Sequence, residues 1–158
     1  MSTKNILIVD DEKEVLELLS ELVEKLDYNP LVASSGRDAL DILDKTKIDV
    51  ILSDMVMPEM DGIELLKRVK ARKGDIPFLV ITGHPTIETA VETIKKGAYD
   101  YLPKPFQIED VGIKIHRAVE KKDLGESLRW SKGLILALLL SIPLWLVLGI
   151  IFASLLKN

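Results

Sequence analysis

The chain has 158 residues, a net charge of −4 and no cysteine. That length holds one domain with a sound core and a small appendage, and the missing cysteines exclude a disulfide framework, a zinc–thiolate site and a dithiol redox motif. Residues 1–124 carry 18 Lys/Arg against 24 Asp/Glu and residues 125–158 carry three against one, so neither part has the basic face of a nucleic-acid binder. The one basic cluster, Lys67, Arg68, Lys70, Arg72 and Lys73, reads as the solvated end of a helix. The opening MSTKNILIVDD is no signal peptide, because its apolar run is short and ends in acids.

Short apolar runs alternate with longer amphipathic stretches through residue 124. Asn5–Val9 reads as a strand covered on both faces, since it lacks polar alternation. Val15, Leu18, Leu19, Leu22, Val23 and Leu26 follow at helical spacing. Pro30–Ala33 is a short second strand, and Ser35-Gly36-Arg37-Asp38 opens a helix carrying Leu40, Ile42 and Leu43. Val50–Ser53 is a third strand, followed by a loop punctuated by Pro58 and Gly62 and a helix over Ile63–Val69. Pro77–Ile81 is the fourth strand. Ile87, Ala90, Val91 and Ile94 make the inner stripe of a fourth helix, which Gly97 stops in the left-handed conformation. Tyr99–Leu102 is the fifth strand, and Ile108, Val111, Ile115, Ala118 and Val119 line a last helix. Five βα units in series imply an α/β domain with a five-stranded parallel sheet.

The strand ends carry the chemistry. Asp10-Asp11-Glu12, Asp54, Thr82 and Lys104 all fall at carboxyl-terminal ends of strands, the edge where ligands bind in open α/β sheets. Converging carboxylates at a buried edge are costly unless neutralised. Mg²⁺, which takes oxygen ligands and binds through one or two carboxylates plus a phosphate, would neutralise them. A helix cap is the plain alternative for Asp10 or Asp11 taken singly. Asp54 is the candidate nucleophile, able to hold a phosphoryl group as an acyl phosphate. Thr82 offers a hydroxyl to phosphoryl oxygens, Gly83 leaves room beside it, and Lys104 supplies a positive point charge.

The motifs LIVDDE, SDMVMPEMDG, ITGH and YLPKPF, in this order and spacing, resemble the receiver domain of two-component response regulators over roughly residues 3–124. The segment TIETAVETIKKGAYDYLPKPF is similar to receivers of the nitrogen-regulatory, enhancer-binding activator branch. The resemblance implies a flavodoxin-like (βα)5 sheet of order 2-1-3-4-5. It implies that Asp54 accepts phosphate from a histidine kinase or a histidine phosphotransfer protein, that Thr82 and Lys104 bind the phosphoryl group, and that the Lys104–Pro105 bond is cis. Asp11, Asp54 and the backbone carbonyl of Val56 would ligate Mg²⁺, with Asp10 acting through a metal-bound water. Thr82 and Tyr101 would be the switch pair. Val56 and His84 stand where the family tunes acyl-phosphate hydrolysis, and the apolar Val56 implies slow loss of phosphate. A domain of this kind signals and is not a turnover enzyme. Val56, two residues after Asp54, also argues against an aspartyl-nucleophile phosphatase, which needs an acid there. The three acids after the first strand argue against a flavin-binding module.

Gly133 to Leu156 are 24 consecutive uncharged residues. As a helix they would extend roughly 36 Å, enough for a hydrocarbon core of about 30 Å. Trp130 between Arg129 and Lys132 resembles an interfacial anchor. Lys121, Lys122, Arg129 and Lys132 before the run, against Lys157 after it, place the receiver in the cytoplasm by the positive-inside rule. The expected organisation is a receiver over residues 1–124, a juxtamembrane linker over 125–132 and a transmembrane helix over 133–156. This reads as a single-domain regulator tethered to the inner membrane, with an anchor in place of the effector domains that usually follow such receivers, and with an unnamed output partner. Ala137/Ser141 and Gly149/Ala153 are small residues four apart that suit a homodimer of membrane helices. Two other readings stand beside it: a soluble receiver whose apolar tail binds an oligomer or partner, and a membrane adaptor that never takes phosphate.

Overall fold

The computed structural model describes residues 3–125, 127–128 and 137–139. The elements run β1 (Asn5–Val9), α1 (Lys13–Lys25), β2 (Asn29–Ala33), α2 (Gly36–Lys45), β3 (Val50–Asp54), α3 (Gly62–Lys73), β4 (Phe78–Thr82), α4 (Ile87–Lys95) and β5 (Asp100–Pro103). A last helix, α5, covers residues 108–125. The strands form one parallel sheet of order β2-β1-β3-β4-β5, a flavodoxin-like arrangement. The chain divides into two compact units at Lys122/Asp123.

Alternation along the strands sorts the core into two layers, because successive side chains leave opposite faces of a strand. Leu7, Val9, Ile51 and Val80 pack with Ala39, Leu40, Leu43, Leu65, Leu66 and Val69 of α2 and α3. Ile6, Ile8, Val50, Leu52, Leu79 and Ile81 pack on the other side with Leu19, Leu22 and Val23 of α1 and Val111, Ile115, Ala118 and Val119 of α5. Helix starts are set by local hydrogen bonds: Ser35 accepts from the Asp38 amide, Asp61 from Glu64, and Thr86 and Thr89 exchange bonds in a capping box. At α1 the N-cap is Glu12, without a side-chain bond, so neither Asp10 nor Asp11 caps that helix. Gly97 ends α4 with φ +98°, as a left-handed stop requires.

Several boundaries differ from the sequence expectation. Strands β4 and β5 each begin one residue later, β3 extends to Asp54, and α3 runs on to Lys73. The larger correction is α4. Of its expected inner stripe only Ala90 is half-buried, while Ile87 is 81%, Val91 46% and Ile94 45% exposed, and the buried residue is Thr93. Burial of Thr93 costs little because its hydroxyl donates to the Thr89 carbonyl within the helix. Leu18 of α1 and Ile108 of α5 are likewise more exposed than expected.

At the amino-terminal edge of the sheet lies a pairing that no motif announces. The Asp49 carboxylate accepts from the Asn5 amide at 2.9 Å and from Lys122 Nζ at 3.0 Å, and Lys122 also donates to the Ile48 carbonyl at 2.6 Å. Burial alone would raise the Asp49 pKa, but the Asn5 amide and the Lys122 ammonium outweigh it and hold it below the usual carboxylate value.

In the second unit, the described residues 123–125, 127–128 and 137–139 are helical. Among the described residues no helix is long and apolar enough to cross a membrane. The expected span over 133–156 falls outside the described residues except for 137–139, as do Ser141, Gly149 and Ala153 of the small-residue pairs.

Candidate functional site

Parallel strands of similar length end together, so β1, β3 and β4 deliver Asp10, Asp54 and Thr82 to one edge, and the loop after β5 brings Lys104 over them. Asp10 is fully buried, and Asp54 and Thr82 nearly so. Lys104 Nζ lies 2.8 Å from Asp54 Oδ1, 3.2 Å from Asp10 Oδ2 and 3.5 Å from Glu12 Oε1. The other oxygens are also engaged: Asp54 Oδ2 accepts from the Val56 amide at 2.8 Å, and Asp10 Oδ1 from the Glu12 amide at 2.9 Å. Asp54 is therefore held at both oxygens, with its carboxylate directed at the crevice by a backbone amide and a cation.

Thr82 Oγ1 accepts from the His84 amide at 3.2 Å, and the Thr82 carbonyl accepts from the Lys104 amide at 2.7 Å. The second bond joins the Lys104 loop to β4. The Lys104–Pro105 peptide is cis, as the resemblance implied. A side chain at Gly83 would meet open space, which agrees with an uncrowded approach to Thr82. Tyr101 is half-buried on β5, and Asp11, His84 and the Val56 side chain are exposed.

The charges do not balance. Two buried carboxylates share one ammonium, and burial pushes the Asp10 carboxyl above its usual range, only partly offset by the Glu12 amide and Lys104. For Lys104, burial alone would lower the pKa, but Asp54 and Asp10 outweigh it and hold the ammonium well above the usual lysine value. Surplus negative charge lined by hard oxygen donors suits Mg²⁺, which needs only one or two carboxylates and keeps its waters. Among the described residues no three His, Asp or Glu are arranged to hold a metal ion; Lys104 lies between the two buried carboxylates and Asp11 is exposed. Asp10, Asp11, Asp54 and the Val56 carbonyl carry oxygen donors of the type that ion takes.

Three supporting contacts escaped the sequence reading. Glu12 reaches Lys104, the buried Ser53 hydroxyl donates to the Asp54 carbonyl at 2.9 Å, and Gly62 packs on Asp54 itself. A Cβ at Gly62 would lie 2.3 Å from the Asp54 carbonyl oxygen, a backbone atom that cannot yield. Gly62 was legible as a loop mark, but its close approach to Asp54 was not. Gly62→Ala is expected to destabilise the fold by about 1–3 kcal/mol through overpacking and to lower the rate of any chemistry at Asp54, read by thermal melts and by phosphate incorporation side by side.

Comparison with known proteins follows the same lines. The response regulator receiver domain family matches residues 6–116. An NtrX-like response regulator of Rickettsia bellii is 39% identical over 122 residues, covering 76% of this chain and 26% of that protein. The regulatory protein AtoC of Escherichia coli is 36% identical over 124 residues, covering 78% and 27%. The chain thus spans about a quarter of the length of the curated relatives it matches. Among solved structures, a receiver domain from Clostridium thermocellum superposes with a TM-score of 0.73 at 33% identity, covering 77% of this chain and 98% of that one. The beryllofluoride-activated NtrC4 receiver domain dimer gives 0.72 at 38%, covering 76% and 99%.

Proposed function

This chain belongs to the response regulator receiver family, and from that premise we propose that it is a phosphorylation switch held at a membrane. Asp54 accepts a phosphoryl group from a phosphohistidine on a kinase or a phosphotransfer protein. A carboxylate oxygen of Asp54 bonds to phosphorus, the P–N bond breaks, and the imidazole keeps the electron pair and takes a proton. The observation that carries this reading is the buried Asp54 carboxylate fixed by the Val56 amide and Lys104. Mg²⁺ held by Asp10, Asp11, Asp54 and the Val56 carbonyl would screen repulsion between the carboxylate and the incoming phosphoryl oxygens.

Lys104 and Thr82 receive the phosphoryl oxygens, and movement of Thr82 draws Tyr101 inward. The apolar Val56 cannot orient a hydrolytic water, so the acyl phosphate persists. Output is contact with a partner through α4, β5 and α5, or phosphate relay onward; the uncovered Ile87, Val91 and Ile94 of α4 support that face. A second copy of the chain is one such partner, and direct nucleic-acid binding is not part of the reading.

The segment 133–156 anchors the switch in the inner membrane with the receiver in the cytoplasm, where kinases and ATP are found. Its support is the run of 24 uncharged residues flanked by basic ones. The test is alkaline carbonate extraction of the full chain and of a version ending at Leu128. The full chain is expected to stay with the membrane and the shortened one to be extracted. Extraction of both would turn the reading into a soluble receiver whose tail binds a partner.

A further inference from the structure

The chain has four methionines and no cysteine, and three of the four (Met55, Met57 and Met60) lie between Asp54 and Gly62. All three pack against the apolar layer around Leu65 and Leu66, Met57 buried and Met55 and Met60 half-buried. We propose that Met55 and Met60 form an oxidation-sensitive site through which peroxide-class oxidants loosen the phosphoacceptor loop and slow its uptake of phosphate. The predicted consequence for phosphate rests on the receiver reading above; the structural consequence does not.

The loop has little slack. Glu59 sits at φ +62°, which a non-glycine residue adopts at a cost, and the Met60 amide turns back onto the Pro58 carbonyl at 2.6 Å. The Gly62 amide donates to the Met55 carbonyl at 2.9 Å, and Gly62 itself rests on the Asp54 carbonyl. Met60 is wedged against the start of α2: a Cβ built on Gly36 would stand 2.7 Å from its Sδ. An oxygen added to that sulfur has no room on the Gly36 side. Met55 and Met57 line an open groove of about 350 Å³ beside Ile63, Thr89 and Thr93, which gives a small oxidant a path to Met55.

The step is a two-electron oxidation. The thioether lone pair attacks a peroxide oxygen, the O–O bond breaks, an S=O bond forms, and the displaced oxygen leaves as water or an alcohol. The product is polar and larger, and a methionine sulfoxide reductase reverses it. Crowded against Gly36, an oxygen on Met60 pushes the loop outward and carries Val56 and Asp54 with it.

The experiment treats the full chain with hydrogen peroxide and locates added oxygen by peptide mass spectrometry. Backbone hydrogen exchange at Val56 and Gly62 and phosphate incorporation from acetyl phosphate are then followed. Met55 and Met60 should be oxidised before Met57. Exchange at both amides should rise, and incorporation should slow about tenfold, the scale of overpacking a tight contact by one atom. Methionine sulfoxide reductase should restore both, and the volume-conserving double variant Met55→Leu/Met60→Leu should show neither effect after the same treatment. Unchanged exchange with Met55 and Met60 fully oxidised would overturn the proposal, as would the same response in the double variant. If untreated chain takes no phosphate, the receiver reading fails, while the exchange measurement still decides this one.

Discussion

Asp54→Asn leaves the chain folded and unable to take phosphate. The amide keeps the shape of the side chain, and its oxygen can still accept the Val56 amide bond. What it loses is the charge and nucleophilicity of the carboxylate. Incorporation should fall by roughly 10³-fold or more, a loss of about 4 kcal/mol of transition-state stabilisation. Stability should not fall with it, because the lost attraction to Lys104 is matched by relief of the repulsion between Asp54 and Asp10. A melting temperature equal to or above wild type, together with no label on a phosphate-affinity gel, is the expected pair of results. Labelling at the wild-type rate would move the acceptor elsewhere.

Asp49→Ala has the largest effect expected on stability alone. It leaves the Lys122 ammonium, only 10% exposed, without its carboxylate, and breaking one side of a buried pair costs about 3–5 kcal/mol. The double variant Asp49→Leu/Lys122→Met removes both charges and should recover most of that loss. The pH dependence follows from the lowered Asp49 pKa. A carboxylate whose folded pKa lies below its unfolded value contributes stability that is fully present above the unfolded value of about 3.9 and is lost as pH falls through the folded pKa. Urea melts of wild type should therefore show a loss between that value and more acidic pH that the Asp49→Ala chain lacks. Parallel curves for the two chains would contradict the assignment.

The α/β class, the strand count and the edge bearing the site could all be read from residues, because the apolar runs of β1, β3 and β4 each lead into a chemistry-bearing side chain. Asp10, Asp54, Thr82 and Lys104 meet where the alternation predicted. The fourth helix differs for a physical reason: Ile87, Val91 and Ile94 are spaced like a core stripe, and spacing alone does not say whether a stripe is covered. Nothing in the pattern marks Thr93 as the buried residue, since its hydroxyl is satisfied by the Thr89 carbonyl four residues earlier. The Asp49–Lys122 pair and the seat of Gly62 on Asp54 depend on tertiary register, which neighbouring residues do not encode.

A phosphorylation switch is defined by where phosphate goes. The most direct measurement incubates the full chain with a phosphodonor with and without Mg²⁺, traps the acyl phosphate by borohydride reduction, and locates the reduced residue by mass spectrometry. The expected result is one modified residue, Asp54, formed only with the ion present. Modification at another side chain, or equal labelling without Mg²⁺, would contradict the account.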